Sequence, residues 1–284
     1  MGISIIILSY NTKSLLKVCL NSVLANLPKD QYEIIVVDNG SKDGSSDMVI
    51  KDFPKVELIQ SAENLGFAKG VNLGAKKAKG EFLLFLNSDA SLKDEKVKEM
   101  ELFMRENELV GIIGGMLVNS DGTVQRSYGR FYTLPVTLKM LLKGDGGEIE
   151  KANEVKLKKV DWVSGGFMMV RQKLFEKLRG FDEHFFMYME DVELCYRVKK
   201  AGFVTYVFPR ATAVHLHQGS SGRSFAIEHI YKGLAYFYKK HRNRFEYAIL
   251  KIMLYGKAGI LIVIGILAGN TYLKKTYRKA MQFS

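Results

Sequence analysis

Cysteine is nearly absent. Cys19 and Cys195 are the only two in 284 residues, so neither a disulfide framework nor a cysteine-based zinc site can be assembled, and a reducing compartment fits. Two glycine signatures are missing as well. No G-x-G-x-x-G follows the first apolar run and no G-x-x-x-x-G-K-[ST] occurs, which removes the main support for a Rossmann dinucleotide site or a P-loop. No internal repeat is found, so solenoids and propellers are excluded. The opening MGISIIILSYN has no basic stretch ahead of its short apolar run, and Ile6 breaks the myristoylation pattern. No signal peptide or acyl anchor is expected there, and the body is expected to be cytoplasmic. Acid is scarce at the other end: from residue 232 onward there are eleven Lys or Arg and one acid, Glu246, so a net +10 of the chain's +12 is carried there.

A cationic surface spread over the whole chain would have pointed to nucleic acid. A basic tail flanking an apolar stretch instead fits anionic lipid headgroups, at about 1 kcal/mol per basic residue near the surface; a merely solvated basic helix is the plain alternative. Residues 244–284 are read as a membrane-associating tail. Its uninterrupted apolar part, 258–268, is too short to span a bilayer, whereas 247–269 is long enough but includes Lys251 and Lys257. Spanning the membrane and lying in its interface are both open.

The remainder, 47% hydrophobic overall, can bury a substantial core. ISIIIL (3–8), EIIVVD (33–38), VELIQ (56–60) and EFLLFLN (81–87) read as strands buried on both faces. Between them lie helical stretches, the first placing Leu15, Leu16, Cys19, Leu20, Val23 and Leu24 on one face. This alternation predicts an α/β fold with a mostly parallel central sheet flanked by helices. Residues 1–243 are read as one domain in two halves, 1–118 and 119–243, and 119–159 is expected to be rich in loops.

Ligands of open parallel sheets collect at strand carboxyl ends. Here those ends carry Ser9 and Asn11, Asp38, Asn64, and Asn87-Ser88-Asp89. A lone Asp at such a place is commonly a turn former or helix cap; four polar ends in register need more explanation. Gly66, Gly70 and Gly74 recur on one helix face, although each glycine costs close to 1 kcal/mol relative to Ala. They imply either tight packing on the sheet or a diphosphate passing the helix start near Asn64 and Gly66. Asp89 can hold Mg²⁺ or Mn²⁺ through oxygen.

In FFMYMEDVELCYRVKKAGF (185–203), Glu190 and Asp191 follow five residues expected to be largely buried. Complementing the helix N-terminus would need no inward position. If the helix runs over 190–201, Asp191 shares the inward stripe with Leu194, Cys195 and Val198, and an inward carboxylate in an apolar rim can act as a general base. His215 and His217, two residues apart, would face one side of a strand, where such a pair commonly has a structural role.

Together SYN, VVDNGSKDGS, ENLGFAKGVNLGAKKAKGEFLLFLNSD, WVSGGFMMVRQKLFEKLRGFDEHFFMYMEDVELCYRVKKAG and AVHLHQGSS resemble the family 2 inverting glycosyltransferases of the GT-A fold, in particular the rhamnosyltransferase-like branch. The resemblance covers roughly residues 3 to 240. It implies that Asp38 bonds the pyrimidine of a nucleotide sugar beside Ser9 and Asn11, with Asn64, Gly66, Gly70, Asn87 and Ser88 on the nucleotide side. It implies that Asp89 ends a D-x-D metal motif, that His215 completes the metal site, and that Asp191 is the base with Glu190 beside it. Trp162, Gly165 and Gly166 would shape the acceptor side. Asn87 departs from the first acid of D-x-D, so the metal would have one carboxylate fewer. His217 competes with His215, whose five-residue step to Ser220 matches the family spacing better.

The expected activity is transfer of a sugar, best guessed as rhamnose from a dTDP- or UDP-linked donor, to a glycan or polyprenyl-diphosphate-linked acceptor at the cytoplasmic face of a membrane. Nucleic acid is not an expected partner. A nucleotidyltransferase and a non-catalytic nucleotide-sugar-binding protein are the alternatives.

Overall fold

Runs such as ISIIILS and FLLFLN can be satisfied only by burial on both faces, and both lie in the middle of a sheet. The computed structural model describes residues 2–28, 31–143, 156–216 and 222–283. The first part alternates β1 (Ile3–Ser9), α1 (Lys13–Asn26), β2 (Tyr32–Asp38), α2 (Ser45–Asp52), β3 (Glu57–Gln60), α3 (Phe67–Ala75) and β4 (Phe82–Asn87). Then come β5 (Ala90–Leu92), α4 (Val97–Glu106), β6 (Val110–Val118), β7 (Tyr128–Gly129), α5 (Leu134–Lys143), β8 (Lys158–Val160), β9 (Trp162–Val163) and β10 (Phe167–Arg171). The chain continues through α6 (Gln172–Lys177), α7 (Glu190–Lys200), β11 (Val204–His215), α8 (Arg223–His241), α9 (Arg244–Leu267) and α10 (Thr271–Ala280).

Two compact units separate. One comprises Met1–Arg130, Ile149–Phe186 and Glu190–Ser220; the other comprises Phe131–Glu148, Met187–Met189 and Ser221–Ser284. The first is built on a sheet of order β3-β2-β1-β4-β10-β6-β11-β5, with β8 also on β11. The strands β1 to β4 are mutually parallel, β10 is antiparallel between β4 and β6, and β11 runs parallel to β6. Six strands (β1, β2, β3, β4, β6, β11) thus point one way, while β5, β8 and β10 oppose them. Register then assembles the site: Ser9 lies beside Asp38, Leu8 beside Asn87, and Val214 beside Val118. Five carboxyl ends meet at one edge.

Helix packing follows the apolar stripes. In α1, Leu16, Cys19, Leu20 and Val23 are buried, whereas Leu24, expected on that face, is 37% exposed. The α3 glycines divide between two uses. A Cβ on Gly70 would strike Leu8, and one on Gly74 would strike Ile6 and Val37, so these two let the helix settle on β1 and β2. Gly70, expected on the nucleotide side, therefore faces the sheet.

The second unit is helical. The helix α9 packs against α10, α8 and α5, and α10 against α8. Within it Tyr238 donates to Tyr132 O at 2.9 Å, and Thr276 Oγ1 to Ser224 Oγ at 2.9 Å. The stretch 119–159, expected as loops, contains all of α5. The apolar spacing of LPVTLKMLL was masked in the sequence by the polar run that follows it.

Candidate active site

At the carboxyl ends of β1 and β4, a hydroxyl ladder joins the two strand ends: Ser9 Oγ lies 2.9 Å from Thr12 Oγ1, which donates to Ser88 Oγ at 2.9 Å. Asn11 takes φ 53, and its side-chain oxygen accepts from the Lys42 N–H while its own N–H donates to Ser41 Oγ. Asp38 is buried. Its Oδ1 accepts from the Ser41 N–H at 2.8 Å and its Oδ2 from the Ser46 hydroxyl. The carboxylate is thereby fixed, and each oxygen keeps further acceptor capacity.

Asn64 is held by Asn39, a residue for which the motifs suggested no role. Asn39 Nδ2 donates to Asn64 Oδ1 at 2.9 Å and to Gly66 O at 3.2 Å, and its Oδ1 accepts from Leu65 N–H. At Gly66, φ 78 with ψ −178 is a conformation open essentially to glycine alone. Any Cβ there would collide with the Phe186 carbonyl, which accepts the Phe67 N–H at 2.6 Å.

Beyond β4, Asn87 is half-buried while Ser88 and Asp89 are buried. Strand β5 pairs with β11 so that His215 faces Ala90, which brings His215 Nε2 to 3.1 Å from Asp89 Oδ1 and 3.2 Å from Asn87 Nδ2. The other imidazole nitrogen, Nδ1, is 2.7 Å from Gln125 Oε1. His217 lies outside the described residues. Among the described residues no group of three His, Cys, Asp or Glu gathers as a metal cage. A carboxylate oxygen converging with an imidazole nitrogen nevertheless fits a divalent cation whose other ligands are water and phosphate oxygens. Burial raises the Cys19 thiol, with the charge of Asp89 adding to it, and burial pushes the Cys195 thiol up to about 12; both sulfurs are inert.

Two further acids, Glu190 and Asp191, stand at the start of α7. Tyr188 and Met189 enter that helix at φ 67 and φ 72, the left-handed region that costs a bulky residue about 1 to 3 kcal/mol. Of the five residues before the acids, Phe185 and Met189 are buried, but Phe186 is 37% exposed. Glu190 is buried and its Oε2 meets no hydrogen-bond partner among the described residues. Asp191 is half-buried; its Oδ2 accepts from the Gly165 N–H at 3.1 Å and its Oδ1 from the Val192 N–H at 2.7 Å. Desolvation, followed by the neighbouring Asp191 charge, raises Glu190 well above the usual carboxylate range. Desolvation also raises Asp191, outweighing its backbone donors. A carboxylate held by N–H groups on one side and poised above the usual range is equipped to take a proton.

Gly165 and Gly166 connect the two halves of the site. Gly166 O accepts the Asn87 N–H at 3.0 Å, and a Cβ on Gly166 would stand 2.9 Å from Asn87 Nδ2. Asp191, Gly165, Gly166, Asn87 and the Asp89–His215 pair are thus joined contact by contact. Trp162 is buried, donates Nε1 to Arg130 O at 2.9 Å and pairs with Gly129, so it secures β9 to β7. A groove of about 520 Å³ lies elsewhere, at the far ends of α7 and β11, among Tyr128, Lys158, Lys159 and Lys199.

The chain is 27% identical over 212 residues to the N-acetylglucosaminyl-diphospho-decaprenol L-rhamnosyltransferase of Mycobacterium tuberculosis, covering 67% of this chain and 68% of that one. It is 27% identical over 232 residues to the rhamnosyltransferase WbbL of Escherichia coli K12, covering 78% and 85%. Its fold is similar to that of the mannosyltransferase PcManGT of Pyrobaculum calidifontis, solved with GDP-Man and Mn²⁺, with a TM-score of 0.60 at 15% identity over 98% of this chain and 85% of that one. The fold is therefore of the GT-A type. The family model described as glycosyl transferase family 2 matches residues 4–179, and the chain belongs to that family.

Proposed function

We propose that the protein is an inverting, metal-dependent hexosyltransferase that moves rhamnose from a dTDP- or UDP-linked donor onto a hydroxyl of a lipid-linked glycan. The observation that carries this reading is the run of contacts from Asp191 through Gly165 and Gly166 to Asn87, Asp89 and His215. It joins Asp191 to the Asp89–His215 pair through one short turn, which supports reading the first as a base and the second as a diphosphate-side cluster. Asp191 removes the proton of the acceptor hydroxyl as its oxygen attacks the anomeric carbon, and the bond to the nucleoside diphosphate breaks on the opposite face, inverting configuration. Desolvation and then the Asp191 charge raise Glu190 well above the usual carboxylate range, so of the two acids Asp191 is the one that ionises more readily. Asp89 and His215 would hold Mg²⁺ or Mn²⁺, which supplies neutralisation of the charge on the departing diphosphate. Asp38, Ser9, Asn11 and Asn64 bind the nucleoside end, Asn87 and Ser88 the diphosphate, and the Gly165–Gly166 turn the acceptor. Rhamnose and a polyprenyl-diphosphate acceptor are taken from the names of the relatives.

Among the described residues α9 is one helix long and apolar enough to cross a membrane. Its packing favours lying in the interface. Gly265 faces Leu273 and Tyr255 stacks on Phe283 at 5.0 Å, so α10 folds back along α9. A spanning α9 would draw Lys274, Lys275, Arg278 and Lys279 towards hydrocarbon, at about 2.5 to 3.5 kcal/mol each near the bilayer centre. Lying flat, α9 buries its exposed Ile260, Val263 and Leu267 among lipid chains and leaves the cations at the headgroups. Anchoring of this kind brings the enzyme to a lipid-linked acceptor on the cytoplasmic leaflet.

The test is incubation with dTDP-rhamnose and a panel of UDP-sugars, a polyprenyl-diphosphate acceptor and Mn²⁺. Release of nucleoside diphosphate with an inverted product linkage is expected. Release of pyrophosphate would mark a nucleotidyltransferase, and nucleotide-sugar binding without turnover a binding protein.

A further inference from the structure

Gln125 belongs to no motif, yet it is buried against the metal-type pair. It is delivered there by a tight hairpin beyond β6. Asn119 N–H donates to Thr123 O at 2.8 Å, Gln125 N–H donates to Leu117 O at 2.8 Å, Val118 bridges Val124, and Gly122 makes the turn at φ 83. Because β6 and β11 are parallel with Val118 beside Val214, the hairpin sets Gln125 level with His215.

The direction of the hydrogen bonds around Gln125 is fixed from the far end. The exposed Asp121 carboxylate, drawn down by the Thr123 hydroxyl, can only accept. Thr123 Oγ1 therefore donates to it at 2.6 Å and accepts from Asn119 Nδ2 at 2.8 Å. That turns Asn119 Oδ1 towards Gln125, whose Nε2 donates to it at 2.8 Å and to the His215 carbonyl at 2.7 Å. With both its N–H groups committed to acceptors, Gln125 presents only Oε1 to the imidazole. The nitrogen 2.7 Å away, His215 Nδ1, must then be the one that carries hydrogen.

We propose that Gln125 is a positioning residue that holds hydrogen on His215 Nδ1 and turns Nε2 towards the space shared with Asp89 Oδ1. This rests on the reading that Asp89 and His215 hold the cation. Nε2 stands 3.1 Å from Asp89 Oδ1 and 3.2 Å from Asn87 Nδ2, so the lone pair that a hydrogen on Nδ1 leaves on Nε2 accepts from the Asn87 amide until a cation shared with Oδ1 takes it. Glutamine has a specific chemistry here. A glutamate could accept from Nδ1 but could not donate to the two acceptors that hold the side chain in place.

The experiment is a long-range ¹⁵N–¹H correlation spectrum of the full chain with labelled histidine at alkaline pH, His215 being assigned by its absence in His215→Ala. Wild-type His215 is expected with Nδ1 protonated and Nε2 bare, and Gln125→Met should move proton to Nε2. In parallel, Mn²⁺ binding followed by electron paramagnetic resonance should weaken about 10- to 100-fold in Gln125→Met, the range for removal of an outer-shell partner. A wild-type ring protonated at Nε2 overturns the proposal without any variant, as does an unchanged tautomer in Gln125→Met. If the tautomer moves but His215→Ala binds Mn²⁺ like wild type, the metal reading fails while the orienting role of Gln125 stands.

Discussion

Asp191 and Asn87 are gripped by successive residues of one turn: the Gly165 N–H donates to Asp191 Oδ2 at 3.1 Å, and the Gly166 carbonyl accepts from the Asn87 N–H at 3.0 Å. One turn therefore ties the Asp191 carboxylate to the Asn87 backbone through two adjacent residues. A methyl group on Gly166 would meet Asn87 Nδ2 at 2.9 Å and must displace it. Gly166→Ala is expected to lower sugar transfer by about 10²-fold, the scale of a 1 Å misplacement, with a melting temperature close to wild type. Steady-state kinetics alongside thermal melting check this.

Asp191→Asn keeps shape and removes basicity. Transfer should fall about 10²- to 10⁴-fold, while the affinity for nucleotide sugar, measured calorimetrically, stays as it was. Near-normal transfer by this variant would remove Asp191 from the base role.

Buried Glu190 also bears on stability. Glu190 has its carboxyl raised well above the usual range by desolvation and then by Asp191. A carboxyl whose folded pKa exceeds its unfolded one binds its proton more tightly in the folded chain, so its contribution is greatest at low pH. It is lost as pH climbs from the ordinary carboxylate range through the raised value. Melting temperature should decline over that interval, and Glu190→Gln should flatten the decline and melt higher than wild type at neutral pH. An equal decline in the variant would place the titrating group elsewhere.

Gly66 is the point where α3 meets the Phe186 carbonyl. Gly66→Ala must move that contact and strain a backbone at φ 78, ψ −178, with an expected loss of about 1 to 3 kcal/mol or more. Gly70→Ala, which presses only on the Leu8 side chain, should cost less. Denaturant titrations of the two variants give the ranking.

On α9, Ile260 and Val263 are 63% and 54% exposed. The double change Ile260→Glu, Val263→Glu should release the protein from anionic vesicles in a flotation assay while leaving transfer to a water-soluble acceptor intact. Undiminished flotation would move the anchor off this face.

The strand runs ISIIIL and EFLLFLN announced a parallel sheet, because four consecutive β-branched or large apolar residues have no other stable home than burial on both faces. The α7 helix was equally legible, its acids at the start and Gly202 just past the end. Leu24 was misplaced because a helical stripe gives a face but not its width. The helices α5 and α8 were hidden beside polar runs. Gln125, Asn39 and the role of the Gly165–Gly166 turn carried no local signal, since each acts on residues far away in the chain.

The sequence by itself determined which residues could hold charge at strand ends and which stretches had to be buried, for these follow from side-chain chemistry and period. The resemblance already directed His215 to Asp89; only the tertiary structure decided that Gln125 meets His215 and that Asp191 shares a turn with Asn87. Strand order and register set those distances, and they depend on pairing between segments far apart in the chain, 90 residues in the case of Gln125 and His215, which no local pattern encodes.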